Sequence, residues 1–316
     1  MERRGSRQFV GTFQSWLPVL LCCFTVVEGI HLRRPKAALE ESLVAQRNTS
    51  ALKPYVLLGP EDTGTNLLEQ LIEANWPNTF VSSQAVHAVW KHSNSGAEDI
   101  YRVIRSSGFG NISGLPAVAI VRSPMSQVAS WMKAPYDLAE CVKRPVTEMD
   151  SPCIADLGAR PAGDRSLVDI DASDVHPILY SSVMDVYNKY LQQYSDIASD
   201  AVFAKFLQLS YEDVVYSPEA VVQLLASLLG VTAPNEVVMV EEPAKSFSSS
   251  SREEALERLH NHTYLQDLGD VGLQTLCPLL NTTLLSNLQE GSFLSEELGR
   301  TLSYMADCVG FLGESS

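Results

Sequence analysis

The chain has 316 residues, 45% of them apolar and 19% charged, with 38 acidic against 23 basic side chains and a formal charge of −15. This is globular composition and excludes a disordered or low-complexity chain. The acidic balance, without a dense Lys/Arg cluster, excludes a nucleic-acid binder; a small anionic nucleotide stays admissible where backbone N–H groups and a few cations reverse the local field.

The chain opens Met1-Glu2-Arg3-Arg4, adds Arg7, and runs apolar from Trp16 to Val27. A positive stretch before about a dozen apolar residues marks secretory targeting. Residues 1–29 are expected to be either a signal peptide cut before Ile30 or an uncleaved signal-anchor, the one route by which a membrane would be engaged. A span wants about 20 apolar residues, and this run is shorter. An N-terminal core helix is the remaining alternative. Residues 30–53 read as a polar stem or linker, and 54–316 as the folded domain.

Pro54-Tyr55-Val56-Leu57-Leu58-Gly59 is a compact apolar run bounded by Pro and Gly, which predicts a buried strand. It leads through Pro60-Glu61-Asp62-Thr63-Gly64-Thr65-Asn66 into a run with Leu68, Leu71 and Ile72 at helical spacing. Strand, glycine turn and helix form the geometry that aims a helix N-terminus at an anion. The same turn also suits a plain helix cap, with Thr63 or Thr65 as N-cap. A second strand is expected around Thr79–Ser82, and a third at 117–121, ending in Arg122-Ser123-Pro124. A helix follows through Val128, Trp131 and Met132, with Pro124 in its first turn. Residues 141–175 read as an inserted loop or lid. Ser182–Ala198 is an amphipathic helix, 206–209 a fourth strand before Tyr211-Glu212-Asp213, and Glu219–Leu229 a helix ended by Gly230. The rest is mostly helical. Alternating strands and helices predict an α/β fold: a parallel sheet flanked by helices, with ligands beyond the carboxyl ends of its strands and a helical C-terminal part.

Sequons stand at Asn48, Asn111, Asn261 and Asn281. Beyond the targeting segment lie Cys141, Cys153, Cys277 and Cys308. Pairing 141–153 across a proline-containing loop and 277–308 along the C-terminal helices is the natural reading, although four cysteines admit three connectivities and free buried thiols are the alternative. No Cys/His pair has tight ligand spacing, so no metal is expected. Gly59 and Gly64 have Walker-type spacing, but Thr65 stands where the Walker lysine belongs, which counts against a kinase or ATPase.

The segment Gly59–Leu68, the element Ala119-Ile120-Val121-Arg122-Ser123-Pro124 with Ser130 eight residues past the arginine, and the block Leu209-Ser210-Tyr211-Glu212-Asp213 with Leu228-Leu229-Gly230 follow one another in this chain. Together, over about residues 54–231, they resemble the sulfotransferase family, of secretory or Golgi type, which uses 3′-phosphoadenylyl sulfate (PAPS) on a P-loop-like fold. The resemblance implies that Thr63, Gly64, Thr65 and Asn66 hold the 5′-phosphosulfate and that Arg122 and Ser130 hold the 3′-phosphate. It implies a sulfuryl acceptor bearing a hydroxyl or amine. A glycan is favoured because the expected compartment is rich in them. The Tyr-Glu-Asp block reads as structural, with Glu212 and Asp213 capping the next helix.

The chain departs from that pattern where the family carries a basic residue before the Ser/Thr-Gly-Thr turn: here Glu61 and Asp62 stand there. A carboxylate about 4 Å from a phosphate costs on the order of 4 kcal/mol at an effective dielectric near 20. Lys91 is the candidate for the displaced charge and His92, with His87 as competitor, for the base that takes the acceptor proton. Lys91 and His92 as a solvated loop pair is the plain alternative. The family's glycine-rich C-terminal phosphate element is not evident; Lys245 and Arg252 around the serine run are the candidates to replace it, with a flexible serine linker as the alternative reading. A non-catalytic sulfotransferase-like binding module is the second reading of the whole chain.

Overall fold

The computed structural model describes residues 54–77, 79, 89–106, 111–160, 177–242, 251–291 and 306–308. The chain divides into two units, Met1–Ser50 and Ala51–Ser316, and the described residues belong to the second. The targeting segment, Asn48, His87, Lys245 and most of the expected strand at 79–82 lie outside them; Thr79 itself sits in a turn, its N–H on the carbonyl of Trp76.

Strand β1 (Val56–Leu58) is followed by helices α1 (Thr65–Asn75) and α2 (Ala97–Ser106), strand β2 (Pro116–Val121) and helix α3 (Pro124–Lys133). After the short helix α4 (Ala139–Val142) come strands β3 (Cys153–Ala155) and β4 (Ile178–Tyr180), helix α5 (Val183–Asp200) and strand β5 (Lys205–Ser210). Helices α6 (Tyr211–Tyr216), α7 (Pro218–Leu229), α8 (Arg252–His260), α9 (Tyr264–Leu276) and α10 (Thr282–Gly291) complete the described strands and α-helices.

The described sheet is parallel, in the order β1-β2-β5, with Leu58 opposite Ala119 and Val121 opposite Ser210. Because side chains alternate across a strand, each strand feeds two cores. Leu57, Val118, Ile120 and Leu209 pack with Leu68, Leu71 and Ile72 of α1 and Val221, Val222 and Leu225 of α7. Val56, Leu58, Ala117, Ala119 and Val121 face the opposite layer, which includes Tyr101 of α2, Trp131 of α3 and Tyr187 and Tyr190 of α5. Fully burying one such aliphatic side chain is worth about 1.5–3 kcal/mol, so covering both faces fixes the strand register. All three strands run the same way, and Gly59, Arg122 and Tyr211 therefore leave the sheet at one edge.

Part of the expected lid is folded rather than loose. β3 and β4 pair antiparallel, Ile154 opposite Leu179, and Cys141 is bridged to Cys153. The second bridge is Cys277–Cys308. Both pairings are those favoured by the spacing, and they fit an oxidising, secretory or extracellular environment. No described helix is long and apolar enough to cross a membrane.

Candidate functional site

The turn after β1 is built by close approach. Thr63 N–H meets the Pro60 carbonyl at 3.3 Å and its Oγ donates to the same carbonyl at 2.7 Å. Asp62, in between, has φ 58, a left-handed position that Asp tolerates better than most residues. A Cβ on Gly59 would lie 2.7–2.8 Å from Thr65, Ile120 and Thr63, so only glycine fits. Gly64 (φ 96) occupies the N-cap of α1 without any side-chain cap, so neither Thr63 nor Thr65 serves that purpose. The first N–H groups of α1 thus have no acceptor within the helix.

Two neighbours brace this turn. From α3, Gln127 Nε2 and Trp131 Nε1 both donate to the Glu61 carbonyl, at 2.7 and 2.8 Å. From the other side, Gly59 N–H donates to the Lys91 carbonyl, and the Gly59 carbonyl receives His92 Nδ1 at 2.7 Å. A carbonyl only accepts, so Nδ1 carries a proton, and in the neutral tautomer Nε2 is then the basic nitrogen, the arrangement a general base needs.

Arg122 leaves β2 beside this turn. Its Nε donates to Ser126 Oγ at 2.7 Å, and its Nη1 to Ser130 Oγ at 3.1 Å and to the Asp62 carbonyl at 3.4 Å. Its guanidinium carbon lies 4.3 Å from the centre of the Tyr211 ring. Tyr187 donates from its hydroxyl to the Arg122 carbonyl at 2.7 Å. Burial, with Glu212 nearby, pushes that phenol well above its usual range and keeps it a donor. Arg122 is only 8% exposed, and among the described residues no carboxylate pairs with it. A buried guanidinium without a counter-charge is a strong anion-binding group.

These groups share one cavity of about 420 Å³. Gly64, Thr65, Asn66, His92, Arg122 and Ser130 all line it. Lys133 and Arg258, which share Asp267, and Arg252, paired with Glu241, add cations to the lining, against Asp62 and Glu242. Within a chain of net charge −15 the cavity therefore gathers cations, of which Arg122 is the one without a carboxylate partner among the described residues. Leu67, Leu71, Val214, Val215 and Val240 supply an apolar wall.

Other expected residues lie elsewhere. Thr63 is fully buried, its hydroxyl used inside the turn. Lys91 sits behind the wall, donating to Asn66 Oδ1 at 2.6 Å and pairing with Glu69 at 3.2 Å. Asp62 lines the cavity, yet its Oδ2 has no surface open to solvent, and the same is true of Glu61 Oε2. Glu212 and Asp213 lie inside the short helix α6, which Ser210 caps by accepting from Asp213 N–H; Glu212 Oε1 receives the N–H of Ser123, and the N-cap of α7 is Ser217, without a side-chain cap bond. Ser126, Lys133, Tyr211 and Arg258 were not anticipated. Ser126 lies midway between Arg122 and Ser130, and Lys133 lies three residues beyond Ser130, so helical spacing alone marks both.

Next to Arg122, Ser123 Oγ donates to Asp307 Oδ2 at 3.3 Å. Tyr264 hydroxyl reaches the same oxygen at 2.9 Å, and His262 Nδ1 meets Oδ1 at 3.1 Å. Asp307 precedes Cys308, so the second bridge holds this junction. Among the described residues, no three His, Cys, Asp or Glu gather as a metal site.

No family model, curated protein or solved structure matches the chain.

Proposed function

We propose that the cavity takes PAPS and that the protein is a luminal, Golgi-type sulfotransferase moving sulfuryl to a hydroxyl or amine on an acceptor, with a glycan favoured. The observation that carries this is Arg122: a buried guanidinium without a carboxylate partner among the described residues, in one cavity with the start of α1. The N–H groups of Gly64, Thr65 and Asn66 suit the phosphosulfate, and Arg122 with Ser130 suits the 3′-phosphate. The apolar wall of Leu71, Val214 and Val240 suits the flat base. PAPS supplies the sulfuryl group, whose bond to the 5′-phosphate breaks as the acceptor oxygen or nitrogen bonds to sulfur. His92 Nε2 takes the acceptor proton. Lys91 acts by fixing Asn66 and by offsetting Glu69 behind the wall.

A phosphate held by Arg122 through charge-assisted hydrogen bonds is worth about 3 kcal/mol, or on the order of 100-fold in affinity. Calorimetry with 3′-phosphoadenosine 5′-phosphate tests this. Micromolar binding that Arg122→Ala weakens on the order of 100-fold supports the reading, and no heat at millimolar ligand refutes it.

A second reading, a binding module that keeps the fold without transfer, is favoured by one observation: Lys91 is engaged with Asn66 and Glu69 rather than standing on the cavity wall. Tight nucleotide binding without transfer of labelled sulfate to any hydroxyl or amine acceptor would decide for it.

A further inference from the structure

We propose that Asn111, Asn261 and Asn281 carry N-linked glycans, because all three are exposed and none of their carboxamide nitrogens is engaged by a described residue. The inference rests on the luminal compartment of the proposed function, not on its chemistry.

Three other asparagines, Asn75, Asn94 and Asn188, are held through Nδ2. Asn75 donates from that atom to the carbonyls of Leu71 and Val238, Asn94 to that of Val186, and Asn188 to that of Leu279. The three sequon asparagines differ. All are exposed. Asn111 works only through Oδ1, accepting from Ser113 N–H at 3.1 Å and from Ser113 Oγ at 2.6 Å. Asn281 likewise accepts through Oδ1, from Leu284 N–H at 3.1 Å. Asn261 follows α8, its backbone N–H bonded to the Glu257 carbonyl and its side chain exposed.

This difference matters because glycosylation alters only the nitrogen. The Nδ2 lone pair bonds to the anomeric carbon of an oligosaccharide carried on a lipid pyrophosphate. The bond from that carbon to the pyrophosphate oxygen breaks, the lipid pyrophosphate leaves with the electron pair, and one Nδ2 proton is lost. Oδ1 stays an amide acceptor throughout, so both cap bonds survive and no donor is withdrawn from the interior. The same change at Asn75 or Asn94 would place a glycan inside the core.

The test is expression of the full chain in cultured eukaryotic cells. The protein is treated with peptide N-glycosidase in heavy-oxygen water, followed by peptide mass mapping and by mapping of the disulfides. Labelled aspartate at positions 111, 261 and 281 is expected, with one gel-mobility step lost in each of Asn111→Gln, Asn261→Gln and Asn281→Gln. Thr263→Ala and Thr283→Ala must lose the same steps as their asparagine variants while leaving Asn261 and Asn281 in place, which separates lost glycan from lost fold. Unmodified asparagine in a chain with both bridges closed overturns the inference and leaves the compartment standing. Unmodified asparagine with reduced thiols overturns it together with the compartment.

Discussion

Gly64→Ala probes the turn without reference to any ligand. The residue has φ 96, and an added Cβ would lie 2.6 Å from Tyr211 Cδ2, where carbon atoms normally rest about 3.5–4.0 Å apart. Left-handed backbone costs an alanine about 1–2 kcal/mol, and forcing the half-buried Tyr211 ring aside by about 1 Å costs roughly 1–3 kcal/mol more. Gly230 supplies the control. It also has positive φ (63), but a Cβ there meets nothing within 4 Å, so Gly230→Ala carries the backbone cost alone. At about 2–4 °C per kcal/mol for a domain of this size, Gly64→Ala should melt roughly 10 °C below the parent and Gly230→Ala roughly 4 °C below. Tyr211→Leu should recover part of the larger loss, since the clash is with the ring. Scanning calorimetry on the four proteins reads all of this. Equal melting shifts for the two alanine variants would refute the close packing of the turn against Tyr211, and with it the stacked support of Arg122.

Four further outcomes follow from the same contacts. Arg122→Lys should retain some nucleotide affinity and lose on the order of 10-fold by calorimetry, because an ammonium cannot reproduce the fork to Ser126 and Ser130. His92→Ala should abolish labelled sulfate transfer while leaving binding of 3′-phosphoadenosine 5′-phosphate within a few-fold, since the ring is proposed to handle a proton rather than a phosphate. The phenols of Tyr187, Tyr190 and Tyr194 are all raised well above 10 by burial. Below pH 10 they are neutral in both folded and unfolded chains; above it only the unfolded chain ionises, so stability should fall, with a slope approaching ~4 kcal/mol per pH unit in denaturant titrations. The Cys277–Cys308 bridge spans 31 residues, so Cys277→Ser with Cys308→Ser should cost about 3–4 kcal/mol and, by releasing Asp307 from Ser123, weaken nucleotide binding more than removal of Cys141–Cys153 does.

Elements with a strong local signature were legible before any coordinates. The apolar run at 117–121 became β2, the amphipathic run at Ser182–Ala198 became α5 over Val183–Asp200, and Gly230 ends α7 in left-handed backbone. Helix α2 passed unremarked although Ile100, Tyr101, Val103 and Ile104 sit on one buried face. β3 and β4 have three residues each, too few to show any period, and it is the bridge to Cys141 that fixes the first of them. At the site, Gly64, Thr65, Asn66, Arg122 and Ser130 could be named because each lies just past a strand or at helical spacing from one that does, whereas the expectation for His92 rests on a strand at 79–82 that lies mostly outside the described residues. Arg258 could not: it reaches the cavity from α8, more than a hundred residues further along, and only tertiary packing brings it there. Lys91 was legible as a cation but not as one paired with a carboxylate, since its engagement with Glu69 depends on where α1 runs.

The double donation to the Glu61 carbonyl has a kinetic meaning. Gln127 and Trp131 are both fully buried, and with His92 on Gly59 they hold the turn in its working shape before any anion arrives. A receptor stiffened in advance loses little freedom on capture. Nucleotide association by stopped flow should therefore follow a single exponential whose rate rises linearly with concentration, with no slower isomerisation behind it.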